Sequence, residues 1–458
     1  MTEDLTAKSA TELAALIRTR RTSAVEVVEA HLKRVEQVNP SLNAIATIAP
    51  DALDLARAID NRSAGKQEFP PLHGVPITVK DTIDTQGLRT TYGSRLRANH
   101  IPEQDASVVA RLRAAGAIII GKTNTPEMAI PYETDNLVFG RTNNPHDLNR
   151  TAGGSSGGEA AAIAAHLSPS GIGSDLSGSI RVPAHFCGIA GLKPTTGRVP
   201  MDGHVPQAVG ALALGACVGP MARRVIDLAL LLNVMADAPP VAISDSEFVE
   251  RSRRQLRGLS VAYYSDDGVA PVSVETAEAV EIAAKALAEA GFQVRAERPP
   301  GVSEGSRLWV ELFSRAASEQ LREFYRGRED EAGSRVAVIL RQQREEPTFE
   351  NRIETAERIA RAVVERERRR EELLRWMKAT PLVLAPVGAV PAFEHGAERV
   401  DVRGESISTF RAFSYSQTFN VFGLPAASVP VSRSSEGLPI GVQIVGRPFE
   451  EDTVLAAA

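Results

Sequence analysis

Two serines stand out as candidate nucleophiles in the glycine-rich stretch GGSSGGEAAAIAAHLSPSGIGSDLSGSIR, residues 153–181. Ser155 and Ser179 each follow a glycine, in loops too small-sided to serve a core. A hydroxyl that attacks an acyl carbon must be reachable by a bulky substrate, with backbone N–H groups free to face the oxyanion that develops. Small neighbours satisfy both demands.

A serine nucleophile needs a base. Gly153–Gly157 fits G-x-S-x-G, the elbow of serine esterases, which would pair Ser155 with a later acid and histidine. His395 is the only histidine far downstream, and the RTNNPHDLNRTA segment ahead of the motif reads as loop where an elbow requires a strand. Lysine is the other option, because burial disfavours the ammonium and leaves a neutral amine near pH 7. Lys80 qualifies, since it closes the apolar run in PLHGVPITVKDTID.

Other patterns lead nowhere. GAIIIGKT, Gly116–Thr123, satisfies the phosphate-loop pattern, but Ala117–Ile120 reads as a buried strand and Pro126 follows closely, so no nucleotide site is expected. Ser63–Lys66 gives S-x-x-K in a polar linker without its companion motifs. The histidines are scattered singly, so no metal and no cofactor is expected.

The elements that must hold these residues alternate between strand and helix. From Thr11 to about Ala58 apolar residues recur at helical spacing, Leu13, Leu16, Ile17, Val25, Val28 and Leu32 among them. Strands are expected around Lys80 and at Ala117–Ile120, with a helix containing Val108, Val109 and Leu112 between them. After GGSSGG, EAAAIAAHL predicts a tightly packed helix with Glu159 in its first turn. LSVAYY, ETAEAVEIAAKALAEAG and QVRAE continue the sheet as strand, helix and strand. The run from about Ser303 to Lys378 is charged and helix-forming, a helical insertion with Trp309, Phe313 and Trp376 as its apolar contacts. Such helices either cover the sheet or form a lid that shapes substrate access. PLVLAPVGAVP, LPAASVPV and LPIGVQIVG return to strand and turn.

Composition narrows the class. The 458 residues are 43% hydrophobic and 24% charged, an ordinary globular balance. With 52 basic and 57 acidic side chains the net charge is -5, which offers nothing to nucleic acid. Cys187 and Cys217 read as free thiols in a reducing compartment. The acidic start lacks a signal peptide's pattern, and no apolar window approaches the ~20 residues of a membrane span, so a cytoplasmic protein is expected.

Taken in order, VPITVKD, AGGSSGG and GSDLSGSIRVPAHFCGIAGLKPT resemble the amidase signature enzymes. The likeness continues through FNVFGLPAASVPV and GLPIGVQIVGRP and is weakest over residues 240–380. It implies an α/β fold, a large mixed twisted β-sheet covered by helices on both faces, forming one domain over residues 1–458 with the helical insertion at about 303–378. It further implies Ser179 as nucleophile, Ser155 as a proton relay preceded by a cis peptide bond, Lys80 as base, and Ser156 as a hydrogen-bonding support. The oxyanion hole would come from the N–H groups of Leu176, Ser177, Gly178 and Ser179, with the Ala129 carbonyl near the substrate. Many members have Gly-Gly before the nucleophile, so a positive φ at Ser177 would be strained here. Asp175 and Arg181 are expected to hold the loop rather than react.

The activity implied is hydrolysis of C–N bonds in small amides through an acyl-enzyme, with esters, anilides and carbamates as further substrates. The partner is then a small molecule, not a membrane. The same signature marks the A subunit of tRNA-dependent amidotransferases, which works inside a complex. The insertion and GSIRVPAHFCG favour the free-standing branch.

Overall fold

The computed structural model describes residues 4–63, 68–236, 250, 256–341 and 349–458. Lys66 of the S-x-x-K pattern and much of 240–255 lie outside them. In the N-terminal part, helices α1 (Ala10–Arg18) and α2 (Ala24–Leu42) begin at Ser9 and Ser23, each in a capping box with the glutamate three residues on. The helical run does not continue unbroken to Ala58. Ile45–Ile48 forms strand β1 before helix α3 (Ala52–Ser63). The β-branched runs then give β2 (Pro76–Lys80) and β3 (Ile118–Thr123), with α4 (Ser107–Ala114) between them.

The segment read as loop ahead of GGSSGG folds into a small antiparallel ribbon, β4 (Asn143–Asn144) and β5 (Asp147–Thr151). Its polar alternation carries no core face, which is why it has no apolar signal. Helix α5 (Gly157–Ala164), β6 (Ser170–Asp175), helix α6 (Arg181–Cys187), β7 (Ala190–Lys193), β8 (Cys217–Ala222) and α7 (Val225–Met235) follow. The later strands are β9 (Ser260–Tyr263), β10 (Gln293–Ala296), β11 (Leu382–Pro386), the β12–β13 hairpin (Arg399–Val402 and Glu405–Ser408), β14 (Ala426–Arg433) and β15 (Pro439–Val445).

Eleven strands form one mixed sheet in the order β1-β3-β2-β6-β8-β7-β14-β15-β11-β9-β10. Strands β3, β2 and β6 run parallel to one another, so the ends of β2 and β6 meet side by side. Side chains alternate across a strand, and the two faces separate accordingly. Ile77 and Val79 of β2, Ile172 of β6 and Val442 of β15 enter a core shared with α1, α2, α4, α7 and the helix Val274–Glu289. Lys80, Gly171, Gly173 and Gln443 face the opposite side, toward α5 and α6.

The charged stretch after Ser303 forms helices Gly305–Trp309, Arg315–Tyr325, Ser334–Arg341 and Phe349–Trp376. A π turn, Val310–Ser314, joins the first two into one rod. Leu308, Leu312 and Phe313 are buried in a second core with Phe419 and Phe422, which ties the insertion to the helix Ser414–Val421.

Candidate active site

Lys80 is the last residue of β2 and is fully buried. Its Nζ donates to Ser155 Oγ at 2.7 Å and to Ser174 Oγ at 3.0 Å. Burial pulls its pKa down to about 7, against the opposing pull of Asp175 and Glu159. An amine in this state exists substantially neutral near pH 7 and can accept a proton. Glu159, buried beneath, bonds Thr78 and Thr123, and burial lifts its pKa to about 7.

Ser155 follows a cis peptide bond from Gly154. A Cβ on Gly154 would lie 2.5 Å from the Pro131 carbonyl oxygen, so only glycine fits this turn. The Ser155 carbonyl accepts from Thr125 Oγ1 at 3.0 Å. Ser156 stitches the turn to the second serine loop: its N–H donates to the Ser179 carbonyl at 3.1 Å, and its Oγ bonds the Ser174 backbone at 3.3 Å in both directions. GGSSGG is therefore fixed to the end of β6 and to residue 179.

The loop between β6 and α6 is organised by one carboxylate. Asp175 accepts from the N–H groups of Gly178 at 2.8 Å and Ile180 at 3.1 Å, and from Arg181 Nη2 at 3.0 Å and Nε at 3.1 Å. Burial alone would raise its pKa, but the Arg181 guanidinium and these donors hold it well below the usual carboxylate range. Arg181 is itself fully buried and reaches Asn420 Oδ1 at 2.6 Å and Gln443 Oε1 at 2.7 Å. The pair is thus ringed by hydrogen-bonding groups, which is what makes a dry charge pair tolerable.

The loop's positive φ, 107°, falls on Gly178 and not on Ser177. The strain expected from a serine at 177 does not arise, because the glycine occupies the one position that demands it. Of the four N–H groups expected to face an oxyanion, that of Gly178 is already given to Asp175. Those of Leu176, Ser177 and Ser179 have no protein acceptor among the described residues.

Ser155, Ser174 and Ser179 line a cavity of about 240 Å3. Ala129, with a left-handed φ of 60°, lies in its wall, as do Leu176 and Ser177. The remaining wall is mostly apolar: Met128, Leu212, Trp309, Leu321, Ile339 and Phe410 all contribute. Among the described residues, Asp175 is the only acidic member of the lining, no lysine or arginine belongs to it, and Asp175 is consumed by Arg181. His204 also lines it, but burial and the charge of Lys80 depress its pKa to about 3, and its ring nitrogens face Thr82 Oγ1 and the Pro206 carbonyl.

His395 does not serve Ser155. It bonds Glu133 and the Leu148 carbonyl, while Ser155 is bonded to Lys80. Lys122 of the phosphate-loop pattern is inside β3, buried and bonded to Ile83, Thr85 and Thr90. Cys187 and Cys217 are both free and buried. No group of three potential metal ligands occurs among the described residues.

Sequence reasoning missed Ser174, which lies within the 153–181 stretch itself, and Tyr132, Gln417 and Asn420, which complete the site from distant segments. Asn420 had a signal, a polar side chain inside the otherwise apolar run FNVFGL, which must find a partner when buried.

A family model described as Amidase matches residues 26–455. An acylamidase of Rhodococcus erythropolis is 35% identical over 98% of this chain and 94% of its own. The A subunit of the glutamyl-tRNA(Gln) amidotransferase of Carboxydothermus hydrogenoformans is 34% identical over 98% of this chain and 96% of its own. Among solved structures, a 6-aminohexanoate cyclic dimer hydrolase complexed with substrate superposes with a TM-score of 0.83 at 30% identity, covering 99% of this chain and 96% of that one.

Proposed function

The chain belongs to the amidase signature family, whose members hydrolyse C–N bonds, and from that premise we propose a free-standing serine amidase acting on small, uncharged, largely apolar amides. The observation that carries the reading is the buried Lys80 amine, 2.7 Å behind Ser155 Oγ, with Ser155 and Ser179 both in the cavity wall. Neutral Lys80 takes the Ser155 proton as Ser155 takes that of Ser179, and Ser179 Oγ forms a bond to the amide carbon. The carbonyl oxygen becomes an oxyanion facing the Ser177 and Ser179 N–H groups. Ser155 then delivers a proton to the departing amine and is reprotonated by Lys80. Water, deprotonated along the same relay, cleaves the acyl-enzyme and restores Ser179.

The wall supports the substrate class. A carboxylate-bearing substrate such as free glutamine would place a charge where no free cation among the described residues answers it, at a cost of several kcal/mol. An aryl or alkyl amide would bury apolar surface instead. The same contrast separates this reading from the amidotransferase one, which remains the second reading because a relative of that name is about equally similar.

The test uses the purified chain alone. A fluorophosphonate should modify Ser179, Ser179→Ala should lower turnover of an uncharged anilide by about a millionfold, and a chelator should leave the rate unchanged. Modification at Ser155 would overturn the assignment of the two serines. A chain inert toward every anilide until its partner proteins are added would establish the amidotransferase reading instead.

A further inference from the structure

The loop that carries Ser179 is held from the helical insertion. Trp309 Nε1 donates to the Leu176 carbonyl at 2.7 Å, and the Tyr132 hydroxyl donates to the Ser177 carbonyl at 2.9 Å. Tyr132 accepts from Gln417 Nε2 at 3.1 Å, and Gln417 Oε1 accepts from Ser306 Oγ at 2.7 Å. Ser306 and Trp309 lie three positions apart on one helical turn, a spacing that puts both side chains on one face. A single turn of the insertion thus reaches both carbonyls, one directly and one through two intervening side chains.

In a trans peptide the C=O and N–H point in opposite directions. The cis bonds among the described residues are those at Gly154–Ser155 and Val205–Pro206, so the peptides of this loop are trans. The Ser177–Gly178 peptide is pinned at both ends, its carbonyl by Tyr132 and its N–H by Asp175. The Leu176–Ser177 peptide is pinned at its carbonyl by Trp309, and its N–H is left without a protein acceptor among the described residues.

We propose that Trp309 is a positioning residue for the oxyanion site: its indole N–H fixes the Leu176 carbonyl and thereby the direction of the Ser177 N–H. This rests on reading Ser179 as the nucleophile. It also links the site to the insertion. On an α-helix, residues five apart lie about 140° from each other, but the wider π turn after Trp309 brings Ser314 to the same cavity, with Ala317, Ser318 and Leu321 beyond it. A substrate packed against that wall presses on the element that carries the indole.

A plain packing role is the competing account, because the Trp309 ring also meets Phe410 at 5.1 Å and Phe313 at 5.9 Å between centroids. Trp309→Phe keeps an aromatic ring and removes the donor. Its kcat on an uncharged anilide should fall about ten- to a hundredfold, less than deletion of an oxyanion donor costs elsewhere. KM should stay within about threefold, the separation expected when only the transition state loses a contact. The rate of fluorophosphonate modification of Ser179, whose phosphoryl oxygen occupies the oxyanion position, should fall in step with kcat. A raised KM with unchanged kcat, or equal modification rates in the two chains, overturns the positioning role while leaving Ser179 as nucleophile. If the probe does not modify Ser179 in the unaltered chain, both readings fall. Should Trp309→Phe not fold, replacing Trp309 by 3-benzothienylalanine, which keeps the shape of the indole and lacks its N–H, carries the same test on the Leu176 carbonyl.

Discussion

An ammonium group at Lys80 would have nothing to offer Ser155 but a donor, so the proposed chemistry depends on how far burial depresses this one pKa. With the value pulled to about 7, the amine is protonated and inactive as a base below that pH and neutral above it. The rate at low substrate should therefore rise with pH, reach half its plateau near 7, and stay high on the alkaline side; a profile flat from pH 5 to 9 would show that another group accepts the proton. Lys80→Met should abolish both the rate and its pH dependence. Lys80, Ser155 and Ser179 were legible as residues because each sits in a short motif whose chemistry constrains its neighbours. The groups that aim them were not: Tyr132 and Trp309 are ordinary aromatic residues in sequence. The one available hint for Trp309 is general, that a buried indole N–H requires a partner.

At the scale of elements, the loop between β6 and α6 is shaped by a carboxylate whose partners lie ahead of it in the chain. Asp175→Ala would leave the buried Arg181 guanidinium without its counter-ion and should cost about 3–5 kcal/mol in urea-induced unfolding. A loss below about 1 kcal/mol would mean that Asn420 and Gln443 suffice. Strands β2, β3, β9, β11, β14 and β15 were readable from their apolar runs, and α5 from its alanine-rich sequence; β6, β7 and β8, whose short runs are broken by glycine, were not. Strand β1 was not, since four residues between two amphipathic helices carry too little periodicity to interrupt them. Nor did the sequence reveal which residue of Ser177-Gly178 takes the left-handed backbone, because that depends on where Asp175 reaches its N–H partners.

For the whole molecule, the insertion and the sheet are joined through the second core, with Phe313 fully buried at their junction. Phe313→Ala should destabilise the protein by about 3–5 kcal/mol, read from thermal unfolding. No helix among the described residues is long and apolar enough to cross a membrane. The helical character of the insertion followed from composition, which left open whether it only covers the sheet or also shapes access to the site, because that requires knowing what it packs against. The reach of Arg181 across the chain also sets an order of events in time. Its guanidinium is satisfied by residues 239 and 262 positions further on, contacts that close late in folding because long loops must be ordered first. A nascent chain that has emerged only as far as residue 410 already holds Lys80, Ser155 and Ser179, yet lacks the groups that let the nucleophile's loop become dry. During refolding, fluorophosphonate reactivity should accordingly appear together with hydrogen-exchange protection of the helix Ser414–Val421, never ahead of it. On the proposed reading, amide cleavage should therefore wait until the chain has been made beyond residue 443.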